Sequence, residues 1–335
     1  MFLSLKAKNR IVEFLNYTGK NHLRGRIIAG YNEIMGEEKE FLSYEFKLNF
    51  RAMKIIKPSV ELWQQDYSVD GIWKHIAKCT RVCYQSEPRK NGETDKEFVH
   101  RVIFRNINAE HLNGRIMQLK LHLSTLEHAT VYLAIPNKSQ LKMDINSLNK
   151  DPHSRVKYDL ENEHYYVETN MRVLVEKGFT YMLNYITEPE YEDRFTFSIT
   201  TDIGIARELD RHRSHSISEE STRFVNYSKD KYGHELTFIE PAWLQGDYSN
   251  ELFKLSCKAA EDYYMKLIDA GWTAQKAREV LPLCTKVQTV HTAYLSDWEE
   301  FLKLRSDAIS GSVHPNMKLV ADKIRELLNN SKERN

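Results

Sequence analysis

Residues 211–224 read RHRSHSISEESTRF: three arginines, two histidines, two glutamates and four serines around almost no apolar side chain. An arginine presents two parallel N–H donors to a phosphate, so Arg211, Arg213 and Arg223 form a set suited to phosphate and carbonyl oxygens. Ser221 and Thr222 add hydroxyls and backbone N–H groups. Glu219 and Glu220, acceptors only when ionised, suit ribose hydroxyls rather than phosphate. The mixture fits a nucleotide better than a bare anion. A solvated, salt-bridged helix face would use the same residues, and the stretch alone leaves both readings open. His212 and His215 could share a helical face, but no nearby cysteine or third histidine completes a zinc site, and no metal is expected.

The chain that must position this stretch has 335 residues and is 41% hydrophobic, enough for one large domain or two ordinary ones. Its 48 basic and 47 acidic side chains leave a net charge of +1. No global field draws it to nucleic acid or to an anionic membrane, and neither is an expected partner. Cys79, Cys83, Cys257 and Cys284 form no CxxC pair and read as reduced thiols of a cytoplasmic protein. No apolar run approaches the ~20 residues of a membrane span.

Residues 1–52 read as a helical extension rather than a transit peptide, and Met53 is a candidate start. From there, MKIIKPSVELWQQ predicts two short extended segments and 71–86 a helix with Ile72, Ile76 and Val82 or Cys83 inward. Residues 95–111 read as helix then loop. ATVYLAI, RFTFSITTDIG (194–204) and TKVQTVHTAYL are predicted strands, and ELTFIEPAW an extended segment. The polar stretch after Ile135 reads as a loop or small excursion, near 136–165. Helices are predicted for VETNMRVLVEKGF, closed by Gly178, for 250–272, ended by Gly271, and for TAQKAREVLPL, capped by Thr273. Two more follow: SDWEEFLKLRSDA, with Ser296 and Glu299 as a capping box, and HPNMKLVADKIRELLNN. The expected class is α/β (α+β), a mixed, largely antiparallel sheet flanked by long helices.

The motif resembles the signature of the flavin-dependent thymidylate synthases: Arg-His-Arg, then Ser, with Glu two before that Ser and Arg two after. Here these are Arg211, His212, Arg213, Glu219, Ser221 and Arg223. Six polar positions in thirteen residues make a far more specific pattern than a lone GxGxxG. IAKCTRVCYQSE resembles the family's first helix, and LHLSTLEHATVYL its His-x-Ser/Thr-x-x-Glu-His segment, giving His122, Ser124, Glu127 and His128. AREVLP and WEEFLKLRSD resemble the C-terminal segments with its substrate arginines, here Arg278 and Arg305. The likeness runs from about Met53 to the last helix, interrupted near 136–165. Two departures stand out. The family's flavin-contacting Asn-x-Arg and later Asn or His correspond to Tyr294, Ser296 and Glu300, and a frequent Gln is Glu208, which would meet a ribose hydroxyl or an arginine.

The resemblance implies methylation of dUMP at C5. Methylenetetrahydrofolate supplies the carbon, FAD the hydride and NADPH the reduction of the flavin, in a homotetramer with sites at subunit contacts. It implies that Arg305 activates the uracil. Glu208, Leu209, Asp210, Arg211, Glu219, Glu220, Ser221, Thr222, Arg223 and Arg278 would bind dUMP. His122, Ser124, Arg211, His212, Arg213, Ser214 and Glu219 would bind FAD, with Tyr294, Ser296 and Glu300 in the departing segment. No cysteine sits in a nucleophile's context, which agrees with flavin taking over that role. Two alternatives remain: a non-catalytic nucleotide- or RNA-binding relative, and a flavin enzyme that methylates another pyrimidine nucleotide.

Overall fold

Alternation in RFTFSITTD builds the central strand, β6 (Arg194–Asp202), in the computed structural model. The structure describes residues 54–332 apart from 90–91, 104–122, 138–139, 190–192, 245 and 310. The chain divides into two units, Met1–Ala52 and Met53–Asn335, and every described residue belongs to the second. The expected extension, the candidate start Met53 and the candidate flavin ligand His122 lie outside the described residues.

β6 pairs antiparallel on one side with β2 (Ser59–Trp63) and on the other with β9 (Lys286–Tyr294). β9 in turn pairs with β7 (Ser216–Glu219), so this four-stranded sheet runs β2-β6-β9-β7. β1 (Lys54–Ile56) and β8 (Thr237–Ile239) form a separate parallel pair. A third sheet, β3-β5-β4, joins β3 (Thr130–Pro136), β4 (Arg155–Asp159) and β5 (His164–Asn170), all antiparallel. The expected class holds, with the strands divided among three sheets.

The helices form for identifiable reasons. α1 (Val69–Tyr84) begins where the Ser68 side chain accepts from the Gly71 N–H at 3.1 Å. Gly71 is required there: a Cβ would lie 2.3 Å from the Asp66 carbonyl oxygen. Its inward stripe is Ile72, Ile76 and Val82, all buried. It is followed by α2 (Asp95–Ile103), and then, in the third sheet's region, by α3 (Lys142–Asn149) and α4 (Met171–Lys177). α5 (Ile203–Leu209) is capped by Asp202, which accepts from the Ile205 N–H at 2.8 Å. The other Asp202 oxygen takes the Asn316 amide at 2.9 Å. α6 (Asp247–Asp269), the short α7 (Ala274–Ala277), α8 (Leu295–Arg305) and α9 (Pro315–Lys332) complete the chain. Among the described residues no helix is long and apolar enough to cross a membrane.

Several expectations from sequence need correction. The stretch near 136–165 is ordered: it holds α3 and β4, and β5 follows to tie both to β3. VETN, expected to open a helix, ends β5, and the Asn170 side chain caps α4 from Val173 at 3.1 Å. The motif contains a strand, β7, and no long helix. α8 starts at Leu295 with Tyr294 at the N-cap and no side-chain cap bond, so Ser296 lies inside its first turn. Thr273 occupies the N-cap of α7, but its side chain makes no cap bond.

Successive strand residues face opposite sides. Phe195, Phe197 and Ile199 of β6 pack with Trp298 and Phe301 of α8 and Val320 and Ile324 of α9. Thr196 and Ser198 point the other way, toward α1 and the 3-10 turn Leu123–His128. The motif's ends therefore emerge on either side of a short edge strand carried by β9.

Candidate active site

α5 ends at Leu209, and the chain turns through 210–215 before entering β7. The His212 N–H reaches the Leu209 carbonyl at 3.0 Å and the His215 N–H the His212 carbonyl at 3.0 Å. The turn places His212 beside the last residue of α8: Arg305 donates from Nε to His212 Nε2 at 3.1 Å and from Nη1 to Glu208 at 3.1 Å. Because a guanidinium only donates, His212 Nε2 is the bare nitrogen and its ring proton sits on Nδ1. Burial first, then the Arg305 charge, pulls the His212 pKa down to about 4. Behind it stands an aromatic wall: the His212 ring meets Phe301 at 4.8 Å and the His215 ring meets Trp298 at 4.3 Å. His215 is held down to about 3, by burial first and then by His212.

Glu219, at the far end of β7, faces the same side of the sheet. Burial, then the neighbouring Asp210 and Glu220, raises its pKa to about 7. Asp210 is also raised, by burial. Leu209 is buried beneath the turn, while Arg211, Arg213 and Ser214 are exposed. Among the described residues neither Arg211 nor Arg213 makes an ion pair.

A second cluster forms beyond β7. Arg223 donates to Gln275 of α7 at 3.0 Å, and Arg278 donates to the Thr222 hydroxyl at 3.3 Å. The Ser221 N–H binds the Cys83 carbonyl at 3.3 Å, and the Phe224 and Val225 N–H groups fold back on the Ser221 carbonyl. Arg278 is thus brought to Thr222, and Arg223 to the helix that precedes Arg278. Gln275 was not foreseen; its place three residues before Arg278 on one helix face was the available signal. Glu220 is turned inward instead. It is buried and accepts from Lys286 Nζ at 2.6 Å and from the Gln288 N–H at 3.2 Å.

The remaining candidates are placed elsewhere. Tyr294 projects to the opposite face, where the Arg155 guanidinium of β4 lies 3.5 Å from its ring centroid and Arg194 lies 5.8 Å away. Burial raises its hydroxyl to about 12. Ser296 is exposed, and Glu300 is exposed and paired with Lys303 at 2.5 Å. Ser124 is exposed on the 3-10 turn, beside Glu127, which pairs with Arg172. Nothing in the sequence pointed to Arg155. The thiols are packing groups: Cys79 is buried with its pKa pushed up by burial, and Cys257 lies 3.6 Å from Cys284. Among the described residues no group of histidine, cysteine and carboxylate side chains could hold a metal ion.

The family model described as "Thymidylate synthase complementing protein" matches residues 187–331, the span from the approach to β6 through α9. The chain is 32% identical over 166 residues to the flavin-dependent thymidylate synthase of Thermotoga neapolitana, covering 49% of this chain and 73% of that one. The chain belongs to the flavin-dependent thymidylate synthase family. It is also 32% identical over 124 residues to the Pseudothermotoga lettingae flavin-dependent thymidylate synthase, covering 35% of this chain but only 54%, about half, of that protein. Among solved structures, the UMP/dUMP methylase PolB of Streptomyces cacaoi bound with 5-Br UMP superposes with a TM-score of 0.39 at 16% identity, covering 82% of this chain and 91% of that one. The family model spans β7, both arginine clusters and Arg305, and begins after the third sheet's strands. Membership in the family rests on the Thermotoga neapolitana relative, of which the chain covers 73%.

Proposed function

We propose that this protein is a flavin-dependent thymidylate synthase that converts dUMP to dTMP with methylenetetrahydrofolate, FAD and NADPH. The observation that carries the reading is the Arg305 guanidinium, held by Glu208 and a neutral His212 and making no other hydrogen bond among the described residues. C5 of uracil is a weak nucleophile, and a fixed positive charge at the ring carbonyl favours the enolate-like form that attacks. Arg305 supplies that charge. Ser221, Thr222, Arg223 and Arg278 hold the phosphate, which lies one short strand away from Arg305. Glu219, half-protonated near neutral pH, can donate to or accept from a ribose hydroxyl without placing a full negative charge beside the phosphate.

The residues present also fit a flavin dinucleotide. Arg211 and Arg213 are exposed arginines without an ion-pair partner among the described residues, beside the Ser214 hydroxyl, and so suit its diphosphate. The resemblance adds Ser124 and His212, and His122, which lies outside the described residues. When bound there, a flavin would supply the hydride, with a nicotinamide nucleotide as its reductant. The chain's part is to bind, orient and polarise. Tyr294 lies across the sheet from Arg305, so one chain does not gather every candidate ligand. A homotetramer with sites shared between subunits is what the family resemblance implies, and the unpaired cysteines are the ground for a cytoplasmic protein.

The test is tritium release from 5-tritiated dUMP, with methylenetetrahydrofolate, FAD and NADPH present. Release that depends on both folate and FAD supports the reading. A folded, colourless protein that releases no tritium and binds RNA in a salt-sensitive way would establish the non-catalytic alternative.

A further inference from the structure

We infer that Glu208 is a positioning residue: with His212 as a second fixed point, it aims the Arg305 guanidinium at the pyrimidine ring. This rests on the reading of Arg305 above and deepens it.

A guanidinium is planar and carries five N–H donors. Two contacts at different nitrogens, Nε to His212 and Nη1 to Glu208, fix both the place and the plane of the group. Three donors remain, and with the Arg305 side chain 23% exposed they can reach a ligand. A flexible arginine at the last residue of a helix would otherwise sample many rotamers.

The two fixed points are themselves held. Glu208 rides on α5, whose start is locked by Asp202, and Asp202 is gripped in turn by Asn316 of α9. Ile205, Ala206 and Leu209 bury the inner face of that helix. His212 is pinned by the Leu209 carbonyl and packs edge-on against Phe301, one turn of α8 before Arg305. So α5, the motif turn and α8 converge on one guanidinium. An ion pair with side chains 34% and 23% exposed adds little net stability. The contact is better suited to geometry than to holding the fold.

The test compares Glu208→Ala with Glu208→Gln in the full chain, each checked for an unchanged melting temperature. The glutamine oxygen can still accept from Nη1, whereas alanine cannot. Glu208→Ala should lower kcat for tritium release by about 10²-fold, the scale of a small misplacement of a reacting group, with the KM for dUMP little changed. Glu208→Gln should restore the greater part of kcat. If the alanine form does not fold, Glu208→Ser takes its place. Parental kcat in the alanine form overturns the inference, as does an effect on KM alone or equal damage from both substitutions. If the unaltered chain releases no tritium, the functional reading falls and positioning is judged by 15N NMR. The Arg305 Nε–H signal should then persist in the parent and in Glu208→Gln and broaden in Glu208→Ala. An unchanged signal in the alanine form also overturns it.

Discussion

On the face of the four-stranded sheet toward α8 and α9, Phe195, Phe197 and Ile199 meet Trp298, Phe301 and Val320. On the opposite face the same strands present Thr196, Thr292 and Ser218 to histidines. His75 Nε2 lies 3.4 Å from the Thr196 hydroxyl, which bonds the Thr292 hydroxyl at 2.8 Å. His128 bonds Thr292 through Nδ1 and Ser218 through Nε2, both at 2.8 Å. Arg194 adds bonds to Thr130 and Ser216. Apolar packing is non-directional and tolerates small shifts, whereas this network is satisfied at only one register. A one-residue slip of β7 would turn Ser216 and Ser218 away from it. The polar face thus fixes where the motif strand lies. The apolar face supports α5 and α8, whose ends meet at Arg305.

Removing Arg305 should cost activity without disturbing the polar face. Arg305→Ala leaves the network across the sheet untouched, so melting temperature should change little. Methylation should fall by the equivalent of about 3 kcal/mol, as for loss of one oxyanion donor. Tritium release near the parental rate in the folded variant would remove Arg305 from the chemistry.

His128→Ala should do the reverse. It removes one bond from each of the buried Thr292 and Ser218 hydroxyls and leaves a gap where the ring was, so a loss of about 2–3 kcal/mol of stability is expected. Urea denaturation measures it. A loss no larger than that of an exposed alanine substitution would mean the network does not set the register.

Glu219 makes the stability around the motif strand depend on pH. Its folded pKa of about 7 lies above the ordinary carboxylate value, so the folded state binds the proton more tightly than the unfolded chain. The stabilisation from the protonated form is full below the unfolded pKa and is lost as pH rises through about 7. Glu219→Gln keeps the neutral shape and abolishes the titration. Relative to the parent it should gain on the order of 2 kcal/mol between pH 5 and pH 8. Parallel stability profiles for the two proteins would show that Glu219 ionises normally.

The parts legible in the sequence were those whose signal is local. The alternation of β6 and β9, the amphipathic stripes of α6 and α9, and the residue types of the motif all declare themselves within a few turns. β4 did not: in RVKYD the side chains of Arg155, Lys157 and Tyr158 are exposed, and its pairing with β5 is settled by sheet neighbours rather than by its own pattern. β7 has Ile217 as its sole apolar residue and is a strand because β9 carries it. Glu220 has the same composition cue as Glu219, yet Lys286, distant in sequence, draws it inward. An arginine partner for Glu208 was foreseeable, but that it is Arg305, 97 residues on, comes only from the fold.

Ser296 tests the smallest difference between expectation and structure. The spacing Ser296–Glu299 predicts a capping box, and a lost serine cap costs about 1 kcal/mol. In the structure the N-cap position is Tyr294, whose backbone is extended, and no side chain caps the helix. The Leu295 N–H is met instead by the Asp193 carbonyl at 2.7 Å, from the strand entry beside it. Ser296 is exposed one residue into the helix, where alanine has the better intrinsic propensity. Ser296→Ala should therefore change stability by less than about 0.5 kcal/mol, in either direction. Flavin affinity should also hold, because Arg211, Arg213 and Ser124 are untouched. A loss near 1 kcal/mol would restore the cap. Release of flavin by Ser296→Ala but not by Ser124→Ala would move the cofactor to the Tyr294 end of β9, where Arg155 waits across the sheet.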